Sequence, residues 1–353
     1  MRTVGSESGF TLVELLIASL ITVTVMSVAF TTFSNALSLN ETAVQVADSS
    51  QNLRAGSNLL VRDLLQVGRN IPIGGIAIPS GEGANPIHRP SPPGKAYKFD
   101  NVDEVTLSAI TTGAGLGPVV DGRPTDMITL LTVDPFMESL TLNPSTASGT
   151  VPKIAATGAS FHVGTETAWL AGDTEDGIAP IKPGDILYFQ SATATTLQTV
   201  TRVTGATVYF DASDPFNFNQ RAAEAGSITQ VIGAWTVTVR RVFMHTYYVH
   251  EDAPGVPRLM RVLNHFPPQA LAGVVEDLEL SYDLVDGTYN PVNVKTLPHT
   301  ANGVTYTASQ VRKVNIHLGV RSETRSEKTN DYLRNHVSTV ISLRNLAYVP
   351  RYN

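Results

Sequence analysis

The chain has 353 residues, of which 42% are hydrophobic and 16% charged, with a formal net charge of −6 and no cysteine. The missing thiols exclude disulfides, thiolate metal sites and cysteine nucleophiles, and the mild acidity argues against a dedicated nucleic-acid binder, which would carry a basic field. The length exceeds that of one ordinary domain and leaves room for a sizeable core.

Residues 1–9 read as a short polar leader ending in Gly9. Residues 10–33 follow as an apolar run of 24 residues whose only charge is Glu14. As a helix the run spans about 36 Å, enough to cross a hydrocarbon core about 30 Å thick. Hydroxyls dilute it at Thr11, Ser19, Thr22, Thr24, Thr31 and Thr32, but they can bond carbonyls one turn earlier and so remain tolerable in an apolar helix. A conventional cleaved signal peptide is the competing reading. Against it, the run is longer than the usual apolar region of about 7 to 15 residues and lacks a clean Ala-x-Ala exit.

Glu14 is the anomaly of this segment. A carboxylate inside a lipid-facing helix costs roughly 2.5 to 3.5 kcal/mol on insertion scales, so it requires an interface or a cation. Cleavage after Gly9 would place the new ammonium of Phe10 one helical turn away, at a helix end that already favours negative charge. The ammonium of a neighbouring copy would serve equally. On spacing alone two readings stand: an interfacial residue of an ordinary signal anchor, or a carboxylate that registers one subunit on another.

The octapeptide Gly9-Phe10-Thr11-Leu12-Val13-Glu14-Leu15-Leu16 resembles the prepilin processing motif of type IV pilins and type II secretion pseudopilins. The resemblance implies that a prepilin peptidase cuts between Gly9 and Phe10, that the new Phe10 amine is methylated, and that Glu14 neutralises the N-terminus of an adjacent subunit during assembly. Two features depart from the family pattern. The leader sets only Arg2 against Glu7, so the positive-inside signal is thin. Many major pilins also carry a proline within this helix, and here none occurs before Pro72.

The helix is expected to continue through residues 34–70. Leu39, Ala43, Val46, Ser50, Leu53, Ser57, Leu60, Leu64 and Val67 recur at alternating steps of four and three, a single stripe along a helix, with Asn40, Glu41, Asp48, Arg54 and Asp63 off it. From Phe10 to Arg69 this gives a rod about 90 Å long. Its first half suits membrane or filament core, and its second half suits packing on a globular head. A homotypic coiled coil is the alternative, weakened by two serines in the seam. Gly68 and Pro72 end the rod, and residues 71–94, dense in Pro and Gly, read as a connector running over the surface.

Residues 95–353 switch to the period of strands and form the β-rich head, with an inserted subdomain possible within 95–233. Strands are expected at 102–110, 127–133, 185–190, 197–203, 207–210, 235–243, 246–249 and 258–263, with Thr204-Gly205 as a hairpin turn. The clearest alternations are Leu278, Leu280, Tyr282, Leu284 and Val314, Ile316, Leu318, Val320. Their opposite faces carry Asp277, Glu279 and Asp283 against Lys313, His317 and Arg321, charges that would help fix register if the two strands are neighbours.

Chemistry-bearing motifs are few. His245 and His250 are five apart, which on a strand points them to opposite faces and suits joint metal ligation poorly. Gly113-Ala114-Gly115-Leu116-Gly117 lacks the lysine of a phosphate cradle, and the acidic turn Asp173-Thr174-Glu175-Asp176-Gly177 fails the EF-hand pattern because Gly184 stands at its twelfth position. No catalytic residue, cofactor or metal is expected.

Further along, Tyr247-Tyr248-Val249, Arg258-Leu259-Met260-Arg261 and Val274-Val275-Glu276-Asp277-Leu278-Glu279-Leu280-Ser281-Tyr282 resemble the PilW-type minor pilins and their relative, the GspJ pseudopilin. Val311-Arg312-Lys313-Val314, Gly319-Val320-Arg321-Ser322 and Val340-Ile341-Ser342-Leu343-Arg344-Asn345-Leu346 resemble PilW more specifically. The resemblance implies an α+β, type IV pilin-like fold with a long N-terminal helix packed on antiparallel strands, and a minor pilin that initiates or caps pilus assembly. It implies as partners other major and minor pilins, the prepilin peptidase, the inner-membrane assembly platform and, before assembly, the lipid bilayer. A single-pass inner-membrane location with an extracytoplasmic head, then a place in a pilus or pseudopilus, follows from it. A type II secretion pseudopilin and a pilin-anchored adhesin or binding module are the alternatives.

Overall fold

A single 55-residue helix, α1 (Leu12–Gln66), runs without interruption out of the head. The structure is a computed structural model that describes residues 9–99, 105–142, 152–165, 167–172, 179–253, 256–326 and 330–346, and the side chains of all of these except 167, 252 and 253. The leader before Gly9 and the acidic turn at residues 173–177 therefore lie outside the described residues.

Both ends of α1 are closed by their own residues. At the start Thr11 is the N-cap of a capping box with Glu14, each satisfying the other's backbone N–H. At the end Val67 caps the last turn and Gly68 takes φ +73°, letting its N–H donate to the Leu131 carbonyl at 3.1 Å. No proline interrupts the ladder between them.

The helix has two halves of different character. All residues from 9 to 37 are exposed, and the hydroxyls of Thr22, Thr24, Thr31 and Thr32 each donate to a carbonyl four residues back at 2.8 to 2.9 Å, as expected for an apolar setting. Burial begins at Ser49 and continues through Leu53, Gly56, Leu60, Asp63, Leu64 and Val67. This corrects the expected stripe. Leu39, Ala43 and Val46 are exposed, and Asp63 is buried at 3% exposure. Periodicity marks the face on which a partner can lie; among the described residues full burial starts at Ser49, a turn beyond Gln45, whose amide meets Thr324 Oγ1 of the head at 3.2 Å.

The head is built on antiparallel strands, ten of which carry the description. They are β1 (Ile128–Val133), β2 (Leu140–Leu142), β3 (Ile186–Gln190), β4 (Thr195–Thr199) and β5 (Val237–Ala253), then β6 (Val256–Leu263), β7 (Gln269–Ala272), β8 (Val275–Leu284), β9 (Val311–Arg321) and β10 (Arg334–Ser342). The largest sheet runs β4-β3-β5-β6-β7, with β1 and β2 also on β5 and the short strand Ile110–Thr111 on β1. Four strands pair with β5, a 17-residue strand about 56 Å long, which replaces the two expected strands at 235–243 and 246–249. The expected strand at 197–203 instead divides: β4 belongs to the large sheet, while Arg202–Thr204 turns away at Val200 and Thr201 into a four-stranded sheet with Thr207–Tyr209, Ser160–His162 and Lys153–Ile154. Thr204 and Thr207 close that hairpin around Gly205. Of the expected 102–110 strand the described residues form only Thr106–Leu107 and the first residue of Ile110–Thr111.

A second sheet, β8-β9-β10, brings together the two clearest alternations. Glu279 stands opposite His317 and Asp283 opposite Lys313, so the oppositely charged faces do share a register. Their nearest partners are different, however. Glu279 pairs with Lys295 at 3.0 Å, and Asp283 accepts from the Asn315 amide at 2.9 Å. Asp277, the buried acid of that face, does meet the opposite strand, lying 3.8 Å from His317 Nε2.

The second half of α1 lies across the line where the two sheets meet. Gly56 makes that approach possible: a Cβ there would stand 3.0 Å from Ala272 Cβ and 3.1 Å from Leu259 Cδ2, with Leu318 of the second sheet at 3.8 Å. Leu60 and Leu64 are fully buried in the main core with Leu259, Leu278, Leu318 and Ile341. A second cluster gathers Phe161, Trp169, Phe189 and Phe210, packed edge to face at 5.7 to 6.3 Å, against Leu187 of β3 and Val239 of β5. The stretch 71–94 is no surface connector. Ile71, Ile76, Ile78 and Ile87 enter the main core, Ile76–Ala77 pairs with Thr106–Leu107, and the Ala77 N–H donates to Thr195 Oγ1 at 2.9 Å. Prolines and glycines shape that path, but the isoleucines between them supply apolar area that is worth more buried than wet.

Candidate processing and assembly site

Gly9 and Phe10 are exposed and stand outside the helix, immediately ahead of its cap. Phe10 is 86% exposed and nothing lies within 4 Å of a Cβ placed on Gly9. The peptide bond between them is thus open to solvent and to an approaching enzyme.

The Glu14 side chain folds back over this end. Its Oε2 accepts both the Thr11 N–H and the Thr11 hydroxyl at 3.0 Å, and Thr11 Oγ1 accepts the Glu14 N–H at 3.3 Å. A carboxylate at the third helical position therefore sits one residue from the Phe10 nitrogen. A cation created at Phe10, or brought by another chain, would meet a charge that is already oriented by two hydrogen bonds. The structure places Gly9, Phe10 and Glu14 together at one exposed tip.

A second site joins rod to head, and sequence reasoning missed it. Asp63 leaves α1 toward β5 and β6, where Tyr247 and Arg261 are register partners. Asp63 Oδ2 receives the Tyr247 hydroxyl at 2.5 Å, Arg261 Nε at 2.9 Å and Arg261 Nη2 at 2.8 Å, while His245 Nδ1 lies 2.7 Å from the same Nη2. Burial alone would raise the Asp63 carboxyl, but His245, the Tyr247 hydroxyl and Arg261 outweigh it and hold the group below its usual range. Burial pushes the His245 imidazole down to about 4; the pull of Asp63 opposes that and the push of Arg261 adds to it. At neutral pH His245 is an uncharged acceptor and Arg261 answers the charge of Asp63. One signal was available: Asp63 is one turn from Leu60 and adjacent to Leu64, the most deeply buried part of the stripe.

The glycine-rich segment and His245 serve the fold. In the glycine-rich segment the Gly115 N–H donates to Asp126 Oδ1 at 2.8 Å, and Asp126 Oδ2 takes the Leu280 N–H at 2.7 Å, so the loop is closed on an internal carboxylate. His245 belongs to the rod-to-head cluster, whereas the His250 ring lies 6.4 Å from that of Tyr248. Among the described residues no group of three His, Asp or Glu side chains is arranged to hold a metal ion.

No family model, curated protein or solved structure matches the chain.

Proposed function

We propose that the protein is a minor pilin of the PilW type, cleaved between Gly9 and Phe10, methylated on Phe10, and drawn into a filament to initiate or cap its assembly. The observation that carries this reading is the division of α1. One half is an exposed apolar rod long enough to cross a membrane, capped beside an open Gly9–Phe10 bond; the other is clamped to a β-rich head. So large an exposed apolar surface demands lipid or like helices around it.

Before processing the bilayer covers residues 10–33, with the head outside the cytoplasm. After processing other major and minor pilins take the place of lipid, and Glu14 meets an ammonium in the bundle. The prepilin peptidase and the inner-membrane assembly platform are the partners of these two steps. The cluster around Asp63 fits the same role: a helix pulled from a membrane by its neighbours must carry its head with it, and a buried charged joint resists sliding better than an apolar seam alone. Cell adhesion and twitching motility are processes such a filament serves.

The N-terminal peptide of protein purified from cells tests the reading by mass spectrometry. A mature chain starting at methylated Phe10 is expected. An intact Met1, or a start near Ala36, overturns it.

A further inference from the structure

On the head a cleft of about 460 Å³ opens between three segments: the stretch around residues 88–97, the Pro215-Phe216 turn, and the turn at 264–268 that joins β6 to β7. That volume falls within the range of small-molecule sites, about 300 to 1,000 Å³. Its walls are held by the fold. The His88 N–H donates to the Phe216 carbonyl at 2.9 Å, the Arg89 N–H to the Tyr97 carbonyl at 2.9 Å, and the Tyr97 hydroxyl to the Leu116 carbonyl at 2.6 Å. Arg89 is itself locked underneath by Thr129 Oγ1 and the carbonyls of Thr111 and Thr112 at 2.6 to 2.9 Å.

Two features of the lining point to a ligand. Prolines from all three segments and the rings of Tyr97, Phe216 and His265 make flat, stiff faces, with Phe216 and His265 edge to face at 5.7 Å. Lys95, His88 and His265 contribute cationic or protonatable groups, and among the described residues no carboxylate lines the cleft, in a chain whose net charge is −6. The second feature is Asn264, a fully buried lining residue. Its Oδ1 is committed to the Met244 N–H at 2.9 Å, and its backbone N–H to the Met244 carbonyl at 2.8 Å. The end left over is a donor, Nδ2, without a partner among the described residues. An unmet buried amide costs free energy that an acceptor would recover.

We propose that this cleft binds a six-membered ring bearing a carboxylate, the ring laid on the Tyr97, Phe216 and proline faces and the carboxylate shared between Lys95 and the Asn264 amide. The ring satisfies the apolar walls through its faces. The acid group supplies the acceptor that Asn264 lacks among the described residues and a countercharge to Lys95. A uronic acid and an aromatic acid share this chemistry. The inference stands apart from the filament reading, because it concerns the head alone.

The test uses the full chain in detergent micelles and measures binding of glucuronate and benzoate by calorimetry, with glucose and inorganic phosphate as controls. At least one of the two acids is expected to bind, the Asn264 side-chain amide to shift in nitrogen-15 spectra, and Lys95→Glu to weaken binding at least tenfold without altering the melting curve. Binding of glucuronate alone assigns the site to acidic sugars, and of benzoate alone to aromatic acids. The proposal is overturned if neither acid binds, if glucose or phosphate binds as tightly as the acids, or if Lys95→Glu leaves the affinity unchanged.

Discussion

The carboxylate of Asp63 and the guanidinium of Arg261, 198 residues apart in the chain, meet at 2.8 Å near the end of α1, where the helix is buried in the head. The pair is enclosed, with side-chain exposures of 4% and 15%, and the Tyr247 hydroxyl takes a further lone pair of the same oxygen. Desolvating two charges is expensive, so such a joint favours one docking of helix on sheet over others more than it adds stability outright.

Removing one member should therefore hurt more than removing both. Asp63→Ala leaves Arg261 without its anion and is expected to destabilise the head by about 3 kcal/mol, read as a lower midpoint in urea with unchanged slope. Asp63→Leu combined with Arg261→Met should lose clearly less than the sum of the single changes. Additive losses would show that the two residues act separately.

Stability should fall with acid through His245. Its folded pKa of about 4 lies below the usual 6.5, so between these values the unfolded chain takes up a proton that the folded chain refuses. The contribution is complete above pH 6.5 and is lost as pH falls toward 4, on the order of 3 kcal/mol at about 1.4 kcal/mol per unit. Asp63, held below 3.8, adds its own loss only at lower pH still. Unfolding curves of the native chain and of His245→Gln between pH 7 and 4 check this; the variant should show the shallower decline.

Gly56 is a position where α1 packs tightly on the large sheet. Gly56→Val places branched methyls against Ala272 and Leu259, already 3.0 and 3.1 Å from a bare Cβ. Overpacking of this kind costs about 1 to 3 kcal/mol, which should appear as a lowered melting temperature of the head. An unchanged melting temperature would mean that the helix can lift without loss.

For the filament reading, Glu14→Ala should leave cleavage after Gly9 intact and lower recruitment into filaments. Immunoblots of sheared filaments, normalised to the processed protein in the membrane, measure it. Normal incorporation of this variant would rule out the ion-pair role of the carboxylate.

Local pattern alone determined the approximate length of α1, its end at Gly68, and the buried faces of β8 and β9, because periods of 3.6 and 2 are set by the backbone and each needs only a few neighbouring residues to declare itself. Only the tertiary structure decided that Asp63 is buried while Leu39 and Val46 are not, that the isoleucines of 71–94 belong to the core, and that 197–203 splits between two sheets. The deciding partner lies far along the chain for the first two, Arg261 for Asp63 and Thr195 for Ala77, and in the third the hairpin that Arg202 enters is held to Phe161 through Val208. A charge beside an apolar stripe reads as solvent-facing until its counterion is known, and a stripe of leucines says nothing of where the surface it would cover comes to an end.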